Sequence, residues 1–382
     1  MMIKIIRATT VPQSLNTFCK GMLKELSQKY KVVGLSSPGD ALNEVSQREG
    51  IQTIAIPFER RISIKDDLVS LWKLIKIFRK EKPTMVHSMT PKAGLLCMIA
   101  ARLTGVPVRV HTFTGLVFPT STGIKRRILM TTDRITCRCA THVIPEGEGV
   151  KNDLLNNRIT KKPLKVLGYG NVRGVDMSYY SRKPEVMKIA ETLRDSSIYT
   201  FLFVGRIVRD KGVNELCQAF QRIHSQYPNT RLWLVGLFED NLDPISNDSR
   251  IIIDDEKNGI MAVGRKSRNE LLAYYAAADC FVLPSYREGF PNTVLEAGAM
   301  GLPSIVTDIN GSREIIIEGQ NGTIIPSKDE HALYDAMQNM INNPEWGERM
   351  ANNARDLIAK RFEQSYVRKC LYDFYDDILA NQ

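Results

Sequence analysis

The 382-residue chain lacks any apolar run able to cross a bilayer. Its longest uncharged apolar stretch in the N-terminal half, A-G-L-L-C-M-I-A-A at residues 93–101, falls far short of the roughly 20 residues that a spanning helix needs. The opening M-M-I-K-I-I-R has neither the apolar core nor the small-residue cleavage site of a signal peptide, so it reads as a first strand. No Asp-x-Asp pair occurs, which removes one common way of holding a divalent cation. The seven cysteines are odd in number and scattered through apolar segments, as expected of reduced thiols in a cytoplasmic protein. Cys137 and Cys139, one residue apart, match neither a redox C-x-x-C nor a zinc knuckle, and no metal site is expected. Acidic residues are scarce in the first half: residues 1–183 hold 31 Lys+Arg against 13 Asp+Glu, a net +18, whereas residues 184–382 hold 21 against 29, a net −8. Basic surface on one half calls for an acidic partner: nucleic acid, a phosphorylated substrate or an anionic membrane face.

Apolar content of 43% and charged content of 25% fit a globular protein, and the length suits two domains each able to bury a core. Short β-rich runs alternate with helical periodicity throughout, the pattern of doubly wound α/β domains with parallel sheets. Strands are expected at residues 3–8, 31–35, 51–56, 84–87, 108–112, 142–144 and 164–167, then at 199–204, 231–235, 260–263, 280–283 and 304–307. A polar, proline-bearing linker at 181–197 would divide the chain into domains 1–183 and 184–362. Tyr366, Cys370, Phe374 and Ile378 recur at helical spacing in a last helix from residue 363.

The most informative segment is R-E-G-F-P-N-T-V-L-E at residues 287–296, directly after the apolar run C-F-V-L-P. A buried strand feeding a glycine, a proline and a helix start aims unpaired N–H groups at a ligand and favours anions. Glu288 and Glu296, eight residues apart, are suited to accept from hydroxyls. Phosphate-binding amides beside hydroxyl acceptors point to a nucleotide-sugar. The segment, with A-G-A-M-G-L-P-S-I-V-T-D after it, resembles the E-x7-E region of retaining GT-B glycosyltransferases of family 4, of the bacterial surface-polysaccharide type. F-L-F-V-G-R-I-V-R-D-K-G at residues 201–212 and D-I-N-G-S-R-E-I-I at 308–316 extend the resemblance over the C-terminal half.

The resemblance implies two Rossmann-like domains facing a cleft, the first binding acceptor and the second donor, with residues 363–382 crossing back to the first. It places Gly205, Arg206 and Lys211 on the donor diphosphate, Glu288 on the donor sugar, Gly289, Phe290, Pro291, Asn292 and Thr293 at the helix start, and Glu296 on the ribose. It implies transfer from a UDP-sugar with retained anomeric configuration, without a metal or any cofactor besides the nucleotide-sugar substrate. The departing phosphate would take the acceptor's proton, so no protein nucleophile is needed.

The first domain departs from the pattern. A-T-T-V-P-Q-S-L-N at residues 8–16 replaces the glycine-rich loop of many relatives, leaving Thr9 and Thr10 as candidates for contact and Ser14 as a helix cap. Where relatives hold a catalytic histidine, V-R-V-H-T-F-T-G has Thr114, with His111 three residues earlier; spacing leaves both open beside Glu288 as catalytic candidates. H-S-M-T-P-K-A-G resembles an acceptor-side segment, with Pro91 and Lys92 opening a helix. Ile124, Ile128 and Leu129 beside Lys125, Arg126 and Arg127, and Trp72, Ile75 and Phe78 beside Lys73, Lys76 and Arg79, suit a peripheral contact with anionic lipid on the inner face of the cell membrane. That surface would serve a polyprenyl-diphosphate-linked glycan acceptor. A transferase using a small soluble acceptor, a GT-B pseudoenzyme that binds nucleotide, and a nucleic-acid binder are the alternatives; the last lacks any recognition motif.

Overall fold

The computed structural model describes residues 2–59, 63–241 and 243–380. The chain forms two compact units, residues 1–174 with 365–382, and residues 175–364. The first carries a parallel six-stranded sheet of β1 (Lys4–Ala8), β2 (Lys31–Ser36), β3 (Gln52–Ala55), β4 (Met85–Met89), β5 (Val108–Phe113) and β6 (His142–Pro145), in the order β3-β2-β1-β4-β5-β6. The second repeats this with β7 (Tyr199–Val204), β8 (Thr230–Val235), β9 (Ile260–Gly264), β10 (Cys280–Leu283), β11 (Ser304–Thr307) and β12 (Gly322–Ile325), ordered β12-β11-β10-β7-β8-β9. In both, strand order reverses beside the first strand, between β1 and β4 and between β7 and β10. Open sheets of this kind bind ligands at that point, outside the carboxyl ends of the strands.

Strand periodicity explains the layering. Adjacent Ile5 and Ile6 on β1 are both fully buried but join different cores, one with Leu15, Leu23 and Tyr375, the other with Leu74, Phe78 and Phe118. The helix Gln364–Leu379 belongs to the first unit. Its buried stripe is Val367, Leu371, Phe374, Tyr375 and Leu379, rotated from the expected stripe so that Tyr366 lies outside it. Tyr375 accepts a hydrogen bond from Arg7 Nη1 (2.6 Å), and Asp376 takes Lys29 (2.6 Å) and Tyr30 (2.7 Å).

Several expected boundaries shift. Residues 175–183 belong to the second unit, because Val175 exchanges backbone hydrogen bonds with Phe362 and Gln364 (2.8 and 2.9 Å) and the Arg355 guanidinium holds the carbonyls of Met177 and Tyr180. The expected linker contains a helix, Pro184–Leu193, which buries Val186 and Ala190. The expected strand at 164–167 joins no sheet: Pro163 has no N–H to donate, and Leu164 and Leu167 pack as side chains on two cores. Ser14 lies inside the helix Pro12–Phe18 rather than capping it. β12 was not foreseen, its four residues opening on Gly322 and ending just before Pro326.

Candidate active site

In the second unit the loops after β7, β10 and β11 are drawn together by close backbone approaches. Gly212 sits at φ +70°, where a Cβ would lie 2.0 Å from the Pro284 carbonyl oxygen; Gly311, at φ +75°, would place one 2.5 Å from the Gly289 carbonyl. Only glycine suits both the left-handed backbone and the contact. The first approach brings Lys211 to Glu288: their side chains form an ion pair, about four-fifths shielded from solvent, and Ser285 Oγ donates to the same Glu288 oxygen (2.9 Å). Arg287 Nη2 pairs with Asp210 at 2.7 Å, and the Tyr286 amide donates to the Asp210 carbonyl (2.9 Å), fastening the two loops along several residues. The Tyr286 hydroxyl donates to Glu215 (2.6 Å), and burial together with that carboxylate pushes its pKa up.

Glu296 lies on the helix Asn292–Ala299, buried, and accepts from the Tyr275 hydroxyl at 3.2 Å. That helix starts with Pro291 as its N-cap, which makes no side-chain capping hydrogen bond, and its dipole puts partial positive charge at that end. Asn292 and Thr293 form its first turn, behind Gly289. The Phe290 ring is buried edge-on against Phe362 (5.4 Å) and serves packing, which leaves its backbone as the part at the helix start. Gly205 follows β7 and donates to the Val235 carbonyl (3.0 Å). Arg206, next in sequence, reaches Glu239 beyond β8 at 2.8 Å, a pair that the motifs gave no reason to expect. Charge complementarity at a separation of 33 residues is invisible to local patterns.

In the first unit, Thr10 and Thr90 meet at the ends of β1 and β4. Their hydroxyls lie 2.8 Å apart, the Thr10 amide donates to Thr90 Oγ1 (2.9 Å), and the Ala93 amide donates to Thr10 Oγ1 (3.1 Å). Thr90 takes φ +71°, a conformation rare for a β-branched residue, and opens the helix Pro91–Leu103. Lys92 pairs with Asp67 at 2.7 Å. Thr10, Pro91, Lys92 and Lys125 all line one cavity of 670 Å³. Sequence reasoning offered the first three as acceptor contacts and Lys125 as a lipid contact, and the fold brings the four together.

His111 is placed otherwise. It is 1% exposed beneath Gly94, where an added Cβ would fall 2.3 Å from its ring, and it bonds Ser88 Oγ through Nδ1 (2.9 Å) and stacks edge-on with Phe113. Burial pushes its pKa down to about 3. A neutral, enclosed imidazole reaches no substrate, so the expectation of a catalytic role is corrected; Thr114, half-buried just beyond β5, remains. His87 is also interior, bonding Thr112 Oγ1 (2.7 Å) and the Tyr375 hydroxyl (2.6 Å), with its pKa lowered by burial and by Arg7. Arg126 corrects a second expectation: its guanidinium turns inward onto the Phe118 carbonyl (3.1 Å) and Asn157 (2.7 Å), while Lys125 and Arg127 are exposed. Among the described residues, no helix is long and apolar enough to cross a membrane.

Two doubly wound units with an E-x7-E turn facing a lysine at the switch point define the class as GT-B glycosyltransferase. Residues 188–357 match the family model of glycosyl transferases group 1, and residues 16–170 match that of the glycosyl transferase 4-like domain. The chain is 31% identical to the capsular polysaccharide biosynthesis glycosyltransferase CapM of Staphylococcus aureus, over 98% of this chain and 97% of that one. It therefore belongs to this glycosyltransferase family. It is also 29% identical to the Escherichia coli UDP-Gal:alpha-D-GlcNAc-diphosphoundecaprenol alpha-1,3-galactosyltransferase, over 85% of this chain and 83% of that protein. The fold is similar to that of Anabaena HepE, solved in complex with UDP and glucose, with a TM-score of 0.81 over 98% of this chain and all of that one at 16% identity.

Proposed function

We propose that the protein is a retaining, metal-independent transferase that moves a sugar from a UDP-sugar onto a polyprenyl-diphosphate-linked glycan during surface polysaccharide assembly. The observation that carries this reading is the Lys211–Glu288 pair beside Glu296 and a helix N-terminus. In this reading the diphosphate takes Arg206, Lys211 and the amides of Gly289, Phe290, Asn292 and Thr293, the Glu288 carboxylate holds the donor sugar's hydroxyls, and Glu296 accepts from the ribose. As the bond from the anomeric carbon to the diphosphate breaks, the acceptor hydroxyl oxygen bonds to that carbon from the same face and its proton passes to the departing phosphate oxygen. The two cations and the helix end offset the charge that develops on the leaving group.

The acceptor half rests on the first unit. Thr10, Thr90, Pro91 and Lys92 surround a helix start suited to an acceptor phosphate. Exposed Leu68 and Trp72 (56%) on one helix, and Ile124 (76%) and Ile128 on another, stand among Lys65, Lys76, Lys125 and Arg127, a composition suited to peripheral attachment at the cytoplasmic membrane face. The E. coli relative named for a diphosphoundecaprenol acceptor supports the choice of acceptor, and HepE, solved with UDP, supports the choice of donor. The test is calorimetry with UDP, GDP and ADP, without added metal, on wild type and Arg206→Ala, followed by transfer assays with lipid-linked acceptors. Selective UDP binding lost in the variant is expected; no nucleotide binding by folded protein would refute the reading.

A further inference from the structure

The cavity of 670 Å³ on the first unit is more than a phosphate needs. It lies over the N-terminal half of the helix Pro91–Leu103, which packs between two flanking helices, Ile64–Glu81 and Gly123–Cys139. Its apolar lining is Val11, Pro91, Leu95, Val117, Ile128 and Leu129. The volume falls within the ~300–1,000 Å³ typical of pockets that enclose small organic ligands. The rest of the lining, Thr10, Asp67, Thr90, Lys92, Lys125 and Thr132, is polar, so a ligand with an apolar part and a polar end would find a matching wall for each.

Both flanking helices carry exposed apolar side chains. Ile64, Leu68 and Trp72 recur at four-residue spacing on one, and Ile124 and Ile128 on the other, so each set forms a single stripe. Ile128 belongs both to its stripe and to the cavity lining, which joins the two. Net positive charge accompanies the apolar surface: Lys92, paired with Asp67, and Lys125 line the cavity, Arg127 is exposed nearby in sequence, and Lys76 Nζ sits 3.4 Å from the Trp72 ring centroid. The matching occupant has an anionic head and an extended apolar chain.

We propose that this groove binds the first isoprene units of the acceptor's lipid, adjoining the diphosphate at Lys92 and Lys125; this rests on the lipid-linked acceptor proposed above. The groove then acts as a chain-reading subsite: it selects diphosphate acceptors that carry an isoprenoid and sets how far the acceptor lifts from the membrane.

The test is calorimetry on the full chain with farnesyl diphosphate, below its micelle concentration, against inorganic diphosphate. Wild type should bind farnesyl diphosphate at least about tenfold more tightly. Leu95→Trp, which fills the cavity, and Ile128→Ser, which trims its wall, should each erase most of that margin, while UDP binding in the same samples, governed by the other unit, reports that the protein is folded. Equal affinity of the two compounds in wild type, or an undiminished margin in both variants, would overturn the groove. A concentration-dependent dimer abolished by Ile128→Ser would assign the surface to a second copy and overturn it too. Transfer to a lipid-linked acceptor that persists unaltered in Leu95→Trp would remove the groove and leave the proposed function standing; transfer confined to water-soluble acceptors would remove both.

Discussion

Replacing Glu239 by Gln should tighten nucleotide binding, although it removes a charge from the site. Arg206 and Glu239 pair at 2.8 Å with side chains 51% and 32% exposed. A solvent-exposed pair of this kind contributes about 0.2–1 kcal/mol. A diphosphate that engages Arg206 has to compete with Glu239, so neutralising the carboxylate should strengthen UDP binding by up to about 1 kcal/mol, roughly fivefold. Arg206→Ala acts in the opposite direction, because a charge-assisted hydrogen bond to phosphate is worth about 1.5 kcal/mol or more, roughly tenfold. The double variant should resemble Arg206→Ala alone, since Glu239 acts through the arginine. Titration calorimetry with UDP at two ionic strengths measures all three proteins, and the Glu239→Gln gain should shrink as salt rises. Weakened binding in Glu239→Gln, by as much as in Arg206→Ala, would refute the reasoning and make Glu239 a nucleotide contact in its own right.

Glu288→Gln should abolish transfer and leave the melting temperature within a few degrees, because Ser285 and Lys211 still have an oxygen to donate to; near-normal turnover would sink the role given to Glu288. Lys125→Glu combined with Arg127→Glu should reduce sedimentation with vesicles containing anionic lipid, by about 1 kcal/mol or more per reversed charge, with UDP binding unaltered; unchanged partitioning would refute the membrane contact. His111 has a folded-state pKa of about 3, below its ordinary value near 6.5, so the folded protein binds fewer protons there. Its contribution is therefore complete above pH ~6.5 and falls away as the pH drops, by about 2 kcal/mol between pH 7 and pH 5. Urea unfolding at the two pH values should show this slope flattened in His111→Gln, and an identical slope in the variant would contradict it.

How much could be read from the chain differs between its halves. In the second unit the loop after β7 and the turn after β10 were legible because each is a local signal: an apolar run, a glycine, then charged residues at a helix start. Glu288 was singled out on that basis, and Arg206 and Lys211 took their roles from the family resemblance those motifs carry. Their partners were not: Lys211 meets Glu288 across 77 residues and Arg206 meets Glu239 across 33, and neither separation leaves a mark in composition or period. In the first unit His111 shows the limit in the other direction. A histidine ending a strand reads the same whether its ring faces solvent or lies under a helix, and Gly94, 17 residues away, is what allows the helix to cover it.

The sequence by itself marked the class: alternating strand and helix periods in two halves of opposite charge, with an E-x7-E turn and an arginine and a lysine on the loop after β7, motifs whose resemblance to GT-B transferases carried the assignment. Those features depend on neighbours within a turn or two of the chain, so they survive without coordinates. Tertiary structure alone decided which cations are already paired, that Arg126 turns inward while Lys125 stays exposed, that Arg7 shares Tyr375 with His87, and that Thr10, Lys92 and Lys125 line one cavity. Each of these depends on which distant side chain is nearest once the sheet has ordered its strands as β3-β2-β1-β4-β5-β6, and strand order is a property of the packed sheet rather than of any strand in it.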